Sequence, residues 1–147
     1  MEDKSYGIIP IMIKDKTPFF LIVQLGAGHW AFSKGHLEHG ETEISAAKRE
    51  LLEETGIKKC KVIASRSFIE NFSYKREGEI INKEVKYFLG IVKNPSVTID
   101  QNEIRNYVWL PYYSALRRIT FPQAKKVLSD AYNFFKQNKE KILGKDE

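Results

Sequence analysis

The chain has 147 residues, 42% of them hydrophobic, an ordinary share for one globular domain with a sizeable core. Its net charge is +5, from 24 basic and 19 acidic residues, and this excess agrees with a phosphate-rich partner. The basic residues are scattered (Lys58-Lys59, Lys75-Arg76, Arg117-Arg118, Lys125-Lys126), which excludes a basic tail and any RNA-recognition signature with interleaved aromatics.

Met1-Glu2-Asp3-Lys4 carries acids and lacks the apolar run of a signal peptide. No apolar stretch approaches the roughly 20 residues that span a membrane. Cys60 stands alone among Lys58, Lys59 and Lys61, allows no internal disulfide, and suits a reducing cytoplasm. The expected location is therefore cytoplasmic, with no membrane and no DNA as partner.

In chain order, Tyr6 to Ile13 and Phe19 to Leu25 read as strands, with Thr17-Pro18 in the turn between them. His29 to Phe32 is a short apolar piece that feeds a glycine-bounded loop, Lys34 to Gly40. Thr42 to Thr55 reads as a helix, with Thr42 as N-cap and Gly56 placed to end it. Lys61 to Tyr74 and Glu84 to Val92 read as strands paired across a loop that contains Gly78. Tyr107 to Leu110 is a short strand, and Tyr112 to Leu116 a helical turn. Phe121 to about Asn138 is a second helix, since Ala124, Val127, Leu128, Ala131, Phe134 and Phe135 recur at helical spacing. The polar tail Lys139 to Glu147 reads as frayed. The architecture expected is a mixed sheet between helices.

The first helix carries the chemistry. Ile44, Ala47, Leu51 and Thr55 fall on one stripe, while Glu43, Glu50, Glu53 and Glu54 fall on the neighbouring arc. Like charges at that spacing repel, and carboxylates late in a helix sit at the negative end of its dipole. Such a cluster is either a solvated acidic face or a ligand face for a cation. The flanking glycines favour the cation, because a loop from Gly35 to Gly40 can bring backbone carbonyls beside the carboxylates. Hard oxygen donors with no nearby cysteine suit magnesium or manganese.

Gly35, five residues, Glu41, seven residues, Arg49-Glu50-Leu51, one residue, Glu53-Glu54, one residue, Gly56-Ile57 resembles the complete Nudix box. No position departs from that family's pattern, so a chance match is far less plausible than for a lone glycine fingerprint. The resemblance implies an α/β/α sandwich of the α+β class. It also implies hydrolysis of a nucleoside diphosphate linked to another moiety, with a divalent metal. On that resemblance Glu50 and Glu54 are the principal metal ligands, joined by the Gly35 carbonyl. Glu53 is the first choice for general base, and Arg49 an orienting partner for Glu53 and Glu41. Base and ligand are not separable among adjacent carboxylates, whose titrations are coupled, so Glu53 also stays in the ligand set.

Outside the box, His29-Trp30, Lys34-Gly35-His36, Lys86-Tyr87-Phe88, Glu103 ahead of Tyr107-Val108-Trp109-Leu110, and Phe121 resemble the asymmetric diadenosine tetraphosphate hydrolases, a Nudix subgroup. The resemblance spans Tyr6 to about Phe135. By it, Glu103 is a metal ligand or alternative base, or else a solvated loop acid. Lys34 meets phosphate, or is a surface lysine. His29 donates to phosphate, or caps a turn. Tyr87 and Phe121 form an adenine clamp, because aromatic faces stack on bases, or are plain core aromatics. Trp30 and Trp109 read as core, and His36 and His39 receive no role.

Three functions follow. The first is asymmetric cleavage of diadenosine tetraphosphate to ATP and AMP. The second is another Nudix pyrophosphohydrolase, above all one acting on RNA 5′ ends. The third is a non-catalytic nucleotide-binding regulator on the same fold, against which the intact carboxylate set argues. Oligomeric state is not legible.

Overall fold

The computed structural model describes residues 1–144 of the chain. Its elements are β1 (Glu2–Lys14), β2 (Thr17–Leu25), β3 (Trp30–Ala31), β4 (Lys34–Gly35), α1 (Glu43–Thr55), β5 (Lys61–Arg76), β6 (Glu79–Ile91), β7 (Ile104–Pro111), α2 (Tyr112–Arg118), α3 (Pro122–Gln137) and α4 (Lys139–Leu143). All strands join one 7-stranded sheet in the order β3-β2-β1-β6-β5, with β4 on β1 and β7 on β2. The β1–β6 pair is parallel and the other pairs are antiparallel, so the sheet is mixed as expected.

Both faces of the sheet are covered, and the strands show it in their sequence. In β2, Phe20 and Ile22 enter one core and Leu21 and Val23 the other. In β6, Tyr87 and Leu89 alternate with Phe88 in the same way. Successive strand side chains point to opposite faces, so continuous apolar runs such as Phe19 to Val23 belong to a sheet buried on both sides. The helix α1 adds Ala46, Ala47 and Leu51 to one core. On the other face α2 adds Ala115, and α3 adds Ala124, Val127, Leu128, Ala131 and Phe135.

The first helix begins at a capping box. Thr42 accepts from Ser45 N at 3.1 Å while Thr42 N donates to Ser45 Oγ at 2.9 Å. Gly56 ends the helix at φ 75°, a left-handed conformation that favours glycine.

Four local readings are corrected. The β1–β2 turn is Asp15-Lys16, both at positive φ, and Thr17-Pro18 already opens β2. The stretch Lys75 to Lys83 is not an open loop: Glu77 (φ 53°) and Gly78 (φ 81°) make a two-residue turn, so pairing runs on to Arg76↔Glu79. Lys34–Gly35 is a strand rather than loop, paired through Tyr6↔Gly35 and Gly7↔Lys34. Lys139–Leu143 is a helix rather than a frayed tail, because Ile142 is buried at 4% exposure and anchors it. The rest of that tail, 145–147, lies outside the described residues.

Candidate active site

Lys34 lines three cavities, two of which together hold every expected site residue but Tyr87. The first, about 630 Å³, is lined by Lys34, Gly35, His36, Glu38, Arg49, Glu50, Glu53, Glu54, Asp100 and Glu103. Both β4 and α1 place their residues there. A side chain at Gly35 would run into the Glu50 carboxylate, so only glycine lets this backbone lie against the helix. Glu103 arrives from the far wall, on a turn whose carbonyl accepts from Gly26 N at 3.0 Å.

Arg49 organises the acidic face. Its guanidinium donates to Glu41 (2.7 Å), Glu50 (2.9 Å), Glu53 (2.7 Å) and the His36 carbonyl (2.8 Å). The bonds to carboxylates, that to Glu41 first and then those to Glu50 and Glu53, push its pKa up, and Arg49 holds the Glu41 carboxyl below its usual range. Glu53 is 54% exposed and keeps Oε2 clear of Arg49.

Glu54 differs from its neighbours. It is buried and accepts from Ser33 Oγ at 2.6 Å. Burial first, and then the charges of Glu50 and Glu103, push its carboxyl up to about 7.

A divalent cation fits this donor set. Carboxylates of Glu50, Glu54 and Glu103 and the backbone of Gly35 line one cavity, and hard oxygen donors of this kind suit a divalent cation. Among the described residues no three acidic, imidazole or thiol side chains are gathered closely enough to hold a metal ion as they stand. Arg49 draws Glu50 and Glu53 aside, which leaves an open site rather than a structural one.

The second cavity, about 460 Å³, is mostly apolar. Its lining includes His29, Ala31, Lys34, Glu70, Phe72, Tyr74, Phe121 and Gln123. The His29 ring lies 5.3 Å from Phe121, tilted by 49°. Burial, then the Lys34 charge, lowers the His29 pKa. Burial also lowers Lys34, against the attraction of Glu70 and Glu54.

The expected sites divide accordingly. Gly35, Arg49, Glu50, Glu53, Glu54 and Glu103 come together in the acidic cleft, His29 and Phe121 in the apolar cavity, and Lys34 in both. The clamp of Tyr87 with Phe121 is corrected. Tyr87 is 0% exposed, its ring packs edge-on to Phe32 at 5.7 Å, and its hydroxyl donates to Glu70 at 3.3 Å. Its strand position points into the core, so it offers no face to the cavity.

Sequence reasoning missed Phe72 and Tyr74, which stand where Tyr87 was expected. It also missed Asp3, Glu70 and Lys83. Lys83, 8% exposed, donates to Asp3 at 2.9 Å and to Ser5 at 2.6 Å and lines the third cavity, which adjoins the acidic cleft through Lys34, Gly35, Glu54 and Glu103. Asp3 also meets His36 Nε2 at 2.7 Å and accepts from the Tyr74 hydroxyl at 3.3 Å. A signal existed: Lys83 alternates with Ile81 and Val85, and Glu70 with Phe68 and Phe72. A charge on the inward face of a strand calls for a partner or a ligand.

A NUDIX domain model matches residues 3–131. The chain belongs to the Nudix hydrolase family. Members of that family act on nucleotide polyphosphates and use divalent cations. A Rattus norvegicus protein named bis(5′-nucleosyl)-tetraphosphatase (asymmetrical) is 32% identical over 125 residues, 83% of this chain and 84% of its own. An RNA pyrophosphohydrolase of a Nitratiruptor species is also 32% identical, over 149 residues, 87% of this chain and 94% of its own. Among solved structures, a C. elegans Ap4A hydrolase in a binary complex matches with TM-score 0.79 and 27% identity, over 91% of this chain and 98% of its own. This Nudix hydrolase thus resembles diadenosine tetraphosphate hydrolases along nearly its whole described length. No helix among the described residues is long and apolar enough to cross a membrane.

Proposed function

We propose that this Nudix domain hydrolyses diadenosine tetraphosphate asymmetrically, releasing ATP and AMP, in the cytoplasm. The observation that carries the reading is the pair of cavities sharing Lys34: an apolar, aromatic-walled one of a size for a base, opening beside a carboxylate cleft. Bases stack on aromatic faces, and a phosphate chain leaving the base passes Lys34 first. The tetraphosphatase relatives support the same choice.

Gly35, Glu50, Glu54 and Glu103 would hold the cation, magnesium or manganese. When bound it neutralises phosphate charge and makes a water more acidic. The side chains do the rest. Phe121, Tyr74, Phe72 and His29 hold the nucleoside, and His29 hydrogen-bonds at the phosphate entrance. Lys34 and Lys83 face the bridging phosphates. Glu53, fixed through Oε1 by Arg49, presents Oε2 to accept the proton of the attacking water. Glu103, on the opposite wall, is the alternative base.

Chromatography of products tests the reading. ATP plus AMP from the dinucleotide is expected; two ADP molecules or no turnover would reject it. The 32% identity to an RNA pyrophosphohydrolase favours a second reading, release of pyrophosphate from RNA 5′ ends, and the same assay on triphosphorylated RNA decides between them. Glu53→Gln separates base from ligand: turnover is expected to collapse while calorimetric metal affinity persists.

A further inference from the structure

Glu70 is buried, charged and unused by the steps above. It stands on β5 between Phe68 and Phe72 on one strand face, at 6% exposure. Tyr87 donates to its Oε1 at 3.3 Å. Oε2 has no hydrogen-bond partner among the described residues. No fully buried polar side-chain atom there is left unpartnered, so Oε2 opens onto the apolar cavity that Glu70 lines.

The position of Glu70 within that cavity narrows its role. Phe72, Tyr74 and Phe121 form the aromatic wall, and Lys34 marks the passage to the acidic cleft. Glu70 and Lys34 line this one cavity, and the charge of each acts on the other. A nucleotide has the same order: base, ribose, phosphate. With the base on the aromatic wall and phosphate beyond Lys34, the ribose lies at Glu70. The chemistry agrees. An ionised carboxylate only accepts hydrogen bonds, so it repels phosphate and suits a hydroxyl donor. Burial pushes the Glu70 carboxyl up, and Lys34, the Tyr87 hydroxyl and Lys83 counter that shift.

We propose that Glu70 Oε2 accepts a hydrogen bond from the ribose hydroxyls of the bound nucleoside, so that the cavity selects an intact ribose. This rests on reading the cavity as a nucleoside pocket.

Calorimetry with ADP and 2′,3′-dideoxy-ADP tests it in the magnesium-loaded protein. The wild type is expected to favour ADP by roughly 10- to 100-fold, the range of a hydrogen bond to a charged group. Glu70→Ala is expected to bring that ratio near one, mostly by weakening ADP. Three results overturn the proposal: a wild-type ratio near one, a wild-type ratio retained by Glu70→Ala, or equal weakening of both nucleotides. The last is what a mere counter-charge for Lys34 would give. The wild-type ratio needs no variant, so a Glu70→Ala protein that fails to fold does not shield the idea. Cleavage of the dinucleotide without ribose preference defeats Glu70 alone. Ribose preference without cleavage defeats only the proposed reaction, and no ADP binding defeats both.

Discussion

The two cavities are built in opposite ways. The acidic cleft takes nearly all its side chains from one contiguous stretch, Lys34 to Glu54, completed by Asp100 and Glu103. The apolar cavity takes His29 from the approach to β3, Glu70 to Tyr74 from β5, and Phe121 from the start of α3. In the first, spacing along one helix sets the geometry, and charge opposes assembly. In the second, the sheet sets the geometry, and burial drives it. On the proposed reading, reaction chemistry is locally encoded and recognition is spread over the fold, which predicts that damage to the two sides separates in kinetics.

The largest effect is expected in the acidic cleft. Glu54→Gln keeps the shape and removes a buried charge. Turnover in saturating magnesium is expected to fall by about 100-fold or more, the scale seen when one preorganised transition-state group is lost. The melting temperature of the metal-free protein is expected to hold or rise, since Ser33 can still donate and repulsion with Glu50 is relieved. Near-wild-type turnover would end the idea that this face carries the reaction.

The pH dependence of stability sharpens the same point. The Glu54 pKa rises on folding, from about 4.5 to about 7. Between those values the folded metal-free protein holds a proton that the unfolded chain releases. Stability is therefore greatest below pH 4.5 and falls as pH rises to 7, by roughly 3 kcal/mol for this group. Denaturant titrations across that window read the slope. Glu54→Gln is expected to flatten it and Phe121→Ala to leave it unchanged. The same slope in Glu54→Gln would assign it elsewhere.

On the apolar side, Phe121→Ala and Tyr74→Ala are expected to raise the Michaelis constant for the dinucleotide about 5- to 150-fold, from roughly 1–3 kcal/mol of stacking. The catalytic constant is expected to fall less, because the carboxylates are untouched. Phe121 is 46% exposed, so its loss is expected to leave the melt nearly intact. A collapse of the catalytic constant with an unchanged Michaelis constant would mean that the two sides do not divide the work.

What was legible in the sequence follows the same division. The helix α1, its cap at Thr42, its end at Gly56 and the carboxylates Glu50, Glu53 and Glu54 were readable because neighbours in sequence are neighbours in space. The core strands were readable from their apolar runs. The aromatic wall was not. Tyr87 and Tyr74 are strand aromatics on one sheet face, and their places along the hairpin separate them: Tyr87 pairs with Phe68 and packs on Phe32, while Tyr74, nearer the turn, lies at the cavity. The run from Lys75 to Lys83 looks like loop by composition. A positive φ at Glu77, which a non-glycine residue rarely adopts, closes it into a hairpin instead. The helix α4 was hidden because one buried apolar residue, Ile142, is too little pattern to read.

Asp3 is where the two sides touch, and it carries the smallest effect. One carboxylate on β1 reaches His36 of the acidic loop, Lys83 of the third cavity and the Tyr74 hydroxyl of the aromatic wall. Asp3→Asn keeps the size and removes the charge that holds Lys83. Loss of one partly exposed ionic contact is worth about 1 kcal/mol, so affinity for the dinucleotide is expected to fall roughly 5-fold. Because Lys83 and Tyr74 bind while the carboxylates react, the change is expected in the Michaelis constant, with the catalytic constant nearly unchanged. Lys83→Met is expected to weaken binding further, and the double variant to add little to it, since Asp3 acts largely through Lys83. Fully additive effects would show that Asp3 works instead through His36 or Tyr74. A drop confined to the catalytic constant would show that strand β4, which carries Gly35, rather than the recognition side, depends on this residue.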